Sequence, residues 1–173
     1  MKTCKLSLLI IAFLLSTNWG FGQSKATEAQ TFQYLESTIK LLIGKKIYTD
    51  GDVTVITNVK CSNNSIVTMA NYKEDGSTDF VDIKSTVSEI PWHTFKSIKV
   101  ADSYELTNED LMILTINFTS NLKRVLVTDG ISDKPDYEDS FDIIFPKDRR
   151  QSVEKAISRL VEIYKSKNQD PFQ

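Results

Sequence analysis

The chain has 173 residues, of which 40% are hydrophobic, 10% aromatic and 25% charged, and its formal net charge is −2. This composition is typical of one packed globular domain and excludes disordered, collagen-like and coiled-coil classes. The near balance of acidic and basic residues argues against nucleic acid as a partner, because nucleic-acid binding selects for a dominant basic face.

Residues 1–22 have the layout of a secretory signal peptide. Two early lysines are followed by an apolar run at 6–15, and Gly20 and Gly22 place small residues just before a cleavage site at Gln23. The run is shorter than the roughly 20 apolar residues that a transmembrane helix needs. We therefore expect export to the periplasm or medium, without stable membrane insertion after cleavage. Retention of the segment as an uncleaved anchor stays open.

Cleavage would leave 151 residues with a net charge of −4 and one cysteine, Cys61. An internal disulfide is then impossible, so the fold must be stabilised by its core, which a domain of about 150 residues can supply. We expect Cys61 to be a small buried hydrophobe. A reactive thiol or a disulfide between chains remains as the alternative.

The first predicted element of the mature chain is an amphipathic helix over 27–43. Its apolar residues recur at spacings of three and four, which form one stripe on a helix. Thr27 and Gln30 match a capping box at its start, and Gly44 is a natural stop.

The middle of the chain, residues 45–146, changes to a period of two, which predicts strands. Asp-Gly dipeptides at 49–52 and 73–77 are strong hairpin signals, and Ser120-Asn121 is interpreted as another short connection. One longer, acidic loop is expected at 129–139. The predicted strands cover residues 53–61, 66–72, 79–84, 95–100, 111–118, 122–128 and 140–145. Short connections between about seven strands favour a curved antiparallel sheet.

The last predicted element is a helix over 148–166. Its apolar residues fall at i, i+3, i+4, i+7, i+8 and i+11 from Val153, and its other face is charged. Asp148 can cap it. The segment 168–173 is polar and is expected to be a frayed tail. The prediction is a single α+β domain over 23–167.

Strands that run directly into a packed C-terminal helix, as Ser140–Pro146 does, resemble the pleckstrin-homology-like fold. The resemblance covers residues 45–167, with the 27–43 helix as an addition, and implies a barrel or roll capped by the last helix. Phosphoinositide-binding members carry clustered basic residues around the first hairpin, whereas the turn at 49–52 is acidic here. The chain also resembles short exported, uncharacterised proteins of Gram-negative bacteria.

Catalytic candidates are limited to His93 and Cys61. His93 is the one side chain whose ordinary pKa lies near neutrality, and a Cys–His dyad would need both groups together with a third that orients them. Neither residue has a family signature around it, and no Gly-x-Ser-x-Gly elbow occurs. A structural role for His93 is favoured over a small hydrolase.

A metal site has little basis in the sequence. One Cys and one His cannot supply the four ligands of structural zinc. Asp129, Asp133 and Asp136 are candidate calcium ligands, but their spacing differs from a calcium-binding loop and a solvated acidic loop is favoured. No cofactor is implied.

Aromatic residues are the remaining candidates for a contact surface. Trp92, Tyr72, Tyr104 and Tyr137 could anchor an interface, since such residues are enriched at binding hot spots. Core packing with tyrosines at its rim is favoured over such a surface.

The function that these observations favour is an exported, non-catalytic binding or scaffold module of the cell envelope. It would recognise a peptide, a protein or an envelope component through an open strand edge or an aromatic rim. The alternatives are the small hydrolase, in which His93 acts with Cys61 or carboxylates, and a carrier of an apolar ligand between sheet and helix.

Overall fold

A computed structural model of the chain describes residues 25–62, 64–101 and 106–169. The predicted signal peptide (1–22), the candidate Tyr104 and the end of the predicted tail (170–173) lie outside these ranges. The described chain contains two α-helices, two short 3-10 helices and eight strands. In chain order they are α1 (Glu28–Lys40), β1 (Lys46–Thr49), β2 (Asp52–Ser62), β3 (Ser65–Lys73), β4 (Val81–Ser88), a 3-10 helix (Trp92–Thr94), β5 (Phe95–Val100), β6 (Leu111–Thr128), β7 (Ile131–Ser132), β8 (Asp136–Pro146), a second 3-10 helix (Lys147–Arg149) and α2 (Arg150–Gln169).

The strands form one antiparallel sheet in the order β1-β2-β3-β4-β6-β5, with β7 and β8 also paired to β6. β8 pairs with both halves of β6 along one side of β6. β4 and β5 therefore lie end to end along the other side of β6. The sheet is open and does not close into a barrel. The predicted α+β class, with an antiparallel sheet and a helix at each end, is confirmed.

The long strand β6 differs from the sequence prediction, which placed a hairpin turn at Ser120 and Asn121. β6 runs unbroken through both residues, and its ladder with β8 shifts register between Asn117 and Leu122. A two-residue hairpin needs positive φ angles, and neither Ser120 nor Asn121 has one. The chain therefore bends here instead of reversing, and the prediction of two strands was wrong.

The acidic segment 129–139 is also more ordered than the predicted loop. Asp129 and Gly130, with φ of 48° and 80°, form a tight turn that leads into β7, and β8 already begins at Asp136. The third predicted strand, 79–84, is displaced along the chain to β4, Val81–Ser88.

The first helix begins with a capping box, whereas the cap predicted for the second helix is absent. Thr27 Oγ1 accepts a hydrogen bond from the N–H of Gln30, and Gln30 Oε1 accepts one from the N–H of Thr27, so the predicted capping box is confirmed. α1 ends at Lys40, before the predicted end at 43. Asp148 lies inside the 3-10 turn before α2 and makes no side-chain cap there, contrary to prediction. α2 continues through Gln169, two residues into the segment that was expected to be frayed.

The core joins the two helices to the sheet around Trp92, which is fully buried. Its ring makes edge-to-face contacts with Phe32 of α1, Phe118 of β6 and Phe141 of β8, with centroid distances of 6.3, 5.7 and 6.1 Å. Aromatic pairs in this geometry add stability beyond the area they bury. One continuous apolar cluster therefore connects α1, β6 and β8.

Candidate functional site

The sheet edge formed by β1 and the end of β2 is covered by the protein itself. The N–H of Tyr48 donates to Asn108 Oδ1 (2.9 Å), and Asn108 Nδ2 donates to the carbonyl of Lys46 (3.1 Å). Beyond β1, the carbonyl of Ile56 accepts from the N–H of Gly44 (2.9 Å). Asn108 and the chain before β2 thus satisfy backbone groups that would otherwise face solvent.

A carboxylate from α1 completes the cover on β2. The N–H of Cys61 donates to Glu36 Oε2 at 2.8 Å. The hydrogen bond from Lys40 and then that from the Cys61 N–H lower the pKa of Glu36 below its usual value of 4.5. Glu36 therefore remains ionised where it caps the strand.

The opposite edge, along β8, is not covered by hydrogen bonds in this way, although α1 contacts β8. β8 pairs with β6 on one side, and no hydrogen bond joins its other side to another element within the described ranges. Its first half, from Asp136 to Ser140, is exposed or half-buried, whereas Phe141, Ile143 and Phe145 turn into the core. An unpaired strand edge of this kind is a template for the addition of another strand.

A third edge lies along β5, which also pairs with β6 alone. Its exposed Lys96 and Lys99 are of the type that discourages strand addition. The β8 edge instead adjoins a cavity and carries no lysine, so we place the site there.

A polar groove of about 440 Å³ lies beside β8. It is lined by Ile66, Thr68, Ser85, Val87, Thr115, Arg124, Glu138, Ser140, Phe141 and Asp142. Apart from Phe141, these side chains belong to one face of the sheet, because directly paired residues share a face. Thr68 is paired directly with Ser85, and Thr115 with Asp142, so the two members of each pair lie on the same face.

Charges and hydroxyls are arranged in this groove. Arg124 Nη1 lies 3.3 Å from Glu138 Oε1, and Thr115 Oγ1 donates to Asp142 Oδ1 at 2.7 Å. Of the carboxylates on β8, only Glu138 has an ion pair within the part of the chain that the structure describes. The groove therefore carries one guanidinium and two carboxylates, an excess of one negative charge.

The candidate dyad of Cys61 and His93 gains no support. Cys61 is buried, which confirms the prediction of a small core residue. Burial, and then the Glu36 carboxylate, raises the pKa of its thiol to about 12. At neutral pH the thiol is protonated, and a protonated thiol is not a nucleophile. His93 is exposed on the 3-10 helix and is not packed into the core.

Trp92 cannot anchor an exposed contact surface, because it lies fully inside the core. The burial of Trp92 gives no support to a contact role, and core packing, the favoured interpretation, accounts for it. Tyr72 is half-buried and its hydroxyl donates to Asp52 across the first hairpins, which is a structural contact. Tyr137 is 63% exposed on β8, opposite Lys123, and is the aromatic candidate that lies on the unpaired edge.

The calcium candidates do not converge. Asp129 Oδ1 accepts from the N–H of Asp82, the N–H of Asp133 donates to the carbonyl of Leu126, and Asp136 stands opposite Arg124. Among the residues described, no three His, Cys, Asp or Glu side chains are grouped so that they could hold a metal ion.

The groove residues could be found from sequence only in part. In 140–143 the alternation of Ser140 and Asp142 with Phe141 and Ile143 marks a strand with one polar face. That Thr68 and Ser85 lie on the same face depends on strand order and register, which the sequence does not specify.

Neither α1 nor α2 is both long enough and apolar enough to cross a membrane, and the described ranges contain no other α-helix. Comparison of the chain with family models, with curated proteins and with solved structures gives no match.

Proposed function

We propose that this protein is an exported, non-catalytic binding module of the cell envelope that recognises an extended segment of a partner protein or peptide. The observation that carries the proposal is the contrast between a covered edge at β1 and β2 and an uncovered edge at β8. Backbone groups that a protein leaves unpaired at one edge are available to a partner strand.

In this mechanism the partner adds a strand to the outer side of β8, between Tyr137 and Asp142. Main-chain hydrogen bonds supply affinity, and pockets for alternate side chains supply specificity. Side chains on one face of the added strand would meet the groove, and those on the other face would meet Tyr137. No bond is made or broken, so the mechanism needs no nucleophile.

The export part of the proposal rests on the signal-peptide pattern of residues 1–22. The pleckstrin-homology-like resemblance is compatible with peptide recognition, which many members of that fold perform, but fold alone does not select a function. Expression of the full precursor in a Gram-negative host tests export directly. We expect the protein in the periplasmic fraction or the medium with Gln23 as its first residue, and a cytoplasmic protein that keeps Met1 would contradict export.

The binding part is tested by selection of peptides from a random displayed library on the immobilised protein, followed by amide hydrogen exchange. Bound peptide should slow exchange at 136–142 and leave exchange at Lys46–Thr49 unchanged. Peptides with methylated backbone nitrogens at every second residue provide the control. One of the two methylation patterns should abolish binding, because only alternate amides face β8. Protection elsewhere, or binding that neither pattern disturbs, would contradict strand addition.

A further inference from the structure

We propose that the groove beside β8 selects partner segments that carry basic side chains at alternate positions. This inference rests on the proposed strand addition and adds to it the chemistry of the ligand. It starts from two features that lie side by side, the unpaired edge of β8 and the 440 Å³ groove.

The register of the sheet fixes which side chains of an added strand enter the groove. Glu138, Ser140 and Asp142 are alternate residues of β8, and all three line the groove. Residues directly opposite each other on neighbouring strands share a face. Every second side chain of a strand added to β8 therefore projects over these three residues, while the others project towards Tyr137.

The charges of the groove decide which side chains fit. Arg124 is already engaged by Glu138, so an anionic ligand would have to compete with that carboxylate. Asp142 keeps one oxygen bonded to Thr115 and has no cationic partner within the described ranges. A Lys ammonium donates three hydrogen bonds, and the second carboxylate oxygen of Asp142 and the hydroxyl of Ser140 can accept them.

The same charges disfavour the pairing of β8 with β8 of a second copy. In an antiparallel pairing centred on Asp139, Asp136 would face Asp142 and Asp139 would face its own copy, and like charges directly opposite are destabilising. A basic segment instead meets complementary charge along the whole edge, so a partner and not a second copy is the occupant we commit to.

The probe is a peptide of about nine residues in which Lys and Thr alternate, long enough to span the free part of β8. Its matched control has the same composition with the lysines grouped at one end. Binding is measured by fluorescence anisotropy with the full-length protein at roughly 50 mM salt, where exposed charges are little screened. We expect the alternating peptide to bind more tightly, by about three- to ten-fold.

Three variants locate the charge effect. Asp142→Asn and Glu138→Gln, on the groove side, should each weaken binding of the alternating peptide by about two- to five-fold. The matched control is Asp139→Asn, which removes a charge from the same strand on its other face and should change binding by less than about two-fold. Circular dichroism should report an unchanged fold for all three.

The outcomes separate this inference from the function on which it depends. Equal binding of the alternating and grouped peptides, or equal losses in Asp139→Asn and Asp142→Asn, would overturn the groove assignment. Strand addition would still stand if backbone methylation abolished binding. Failure of every peptide to protect 136–142 from exchange would instead overturn the proposed function. Dimerisation of the free protein through β8, seen by sedimentation, would contradict the choice of occupant.

Discussion

Along β1 and the end of β2, outer backbone groups meet Asn108, Gly44 and Glu36, whereas along β8 they meet no partner within the described chain. The groups that satisfy the first edge are a side-chain amide, a loop N–H and a helix carboxylate. The second edge carries four carboxylates in Asp136–Asp142, which repel a like edge and attract an unlike one. The first edge is therefore satisfied within the fold, and the difference between the two edges supports our proposal that the second binds a partner.

Replacement of Trp92 by Ala should have the largest effect, because Trp92 supports both edges through the shared core. Its ring contacts α1, β6 and β8, and its removal leaves a large cavity. We expect the free energy of unfolding in urea to fall by about 3–5 kcal/mol. The matched control is His93→Ala, the exposed neighbour, with a change within about 0.5 kcal/mol.

The Trp92 variant also sharpens the comparison between the edges. Under conditions in which the Trp92→Ala variant remains folded, it should still bind peptide at β8, because Trp92 does not reach the surface. Loss of binding with unchanged unfolding free energy would make Trp92 a contact residue and would contradict its place in the core.

Asn108→Ala should have an intermediate effect and should partly remove the difference between the edges. The change deletes the acceptor for the N–H of Tyr48 and the donor to the carbonyl of Lys46. We expect a loss of about 1–2 kcal/mol in unfolding free energy, since each hydrogen bond contributes roughly 0.5–1.5 kcal/mol. Amide exchange at Tyr48 should accelerate while exchange in 136–142 stays as in the wild type. Equal acceleration at both edges would mean that Asn108 stabilises the whole fold and does not specifically cover β1.

The covered edge and the open edge were not equally predictable from sequence. The alternation in residues 53–61 and 66–72 predicted β2 and β3, and the Asp-Gly dipeptides predicted two of the turns, because those signals are local. The short strand β1 was not predicted. At Gly51 the φ of 91° explains why the Asp-Gly dipeptide was informative, and an added Cβ would lie 2.8 Å from Asp75 Cγ. Asn108 was not predicted as an edge cover, since it is 60 residues from Tyr48 in the chain.

The open edge was missed for a related reason. The segment 129–139 was interpreted as a loop from its acidic composition, although Asp136 to Glu138 pair with the second half of β6. Aspartate and glutamate have low β-strand propensity. In this segment the pairing with β6 outweighs that low propensity. The error at Ser120 and Asn121 hid the length of β6, and without a continuous β6 the position of β8 at an edge could not be inferred.

The smallest effect concerns Glu36, whose carboxylate covers β2 and titrates. The hydrogen bond from Lys40, followed by that from the Cys61 N–H, lowers the pKa of Glu36 in the folded protein. A lowered folded-state pKa contributes stability that is present above the ordinary value of 4.5 and is lost as pH falls through the folded-state value. Glu36→Gln should therefore reduce the unfolding free energy at pH 7 by about 0.5–1 kcal/mol.

The pH dependence of this loss in unfolding free energy distinguishes an edge that is covered by a titrating group from one that is covered by a neutral group. In urea unfolding between about pH 3 and pH 7, the deficit of Glu36→Gln should shrink as the wild-type carboxylate takes up its proton below pH 4.5. The deficit of Asn108→Ala should stay constant over the same range, because the hydrogen bonds of Asn108 involve no titrating group. If the loss in unfolding free energy caused by Glu36→Gln did not change with pH, the charge of Glu36 would contribute nothing to the hydrogen bond with β2. The cover on that edge would then be insensitive to acid, and acidification could not be used to open it for comparison with β8.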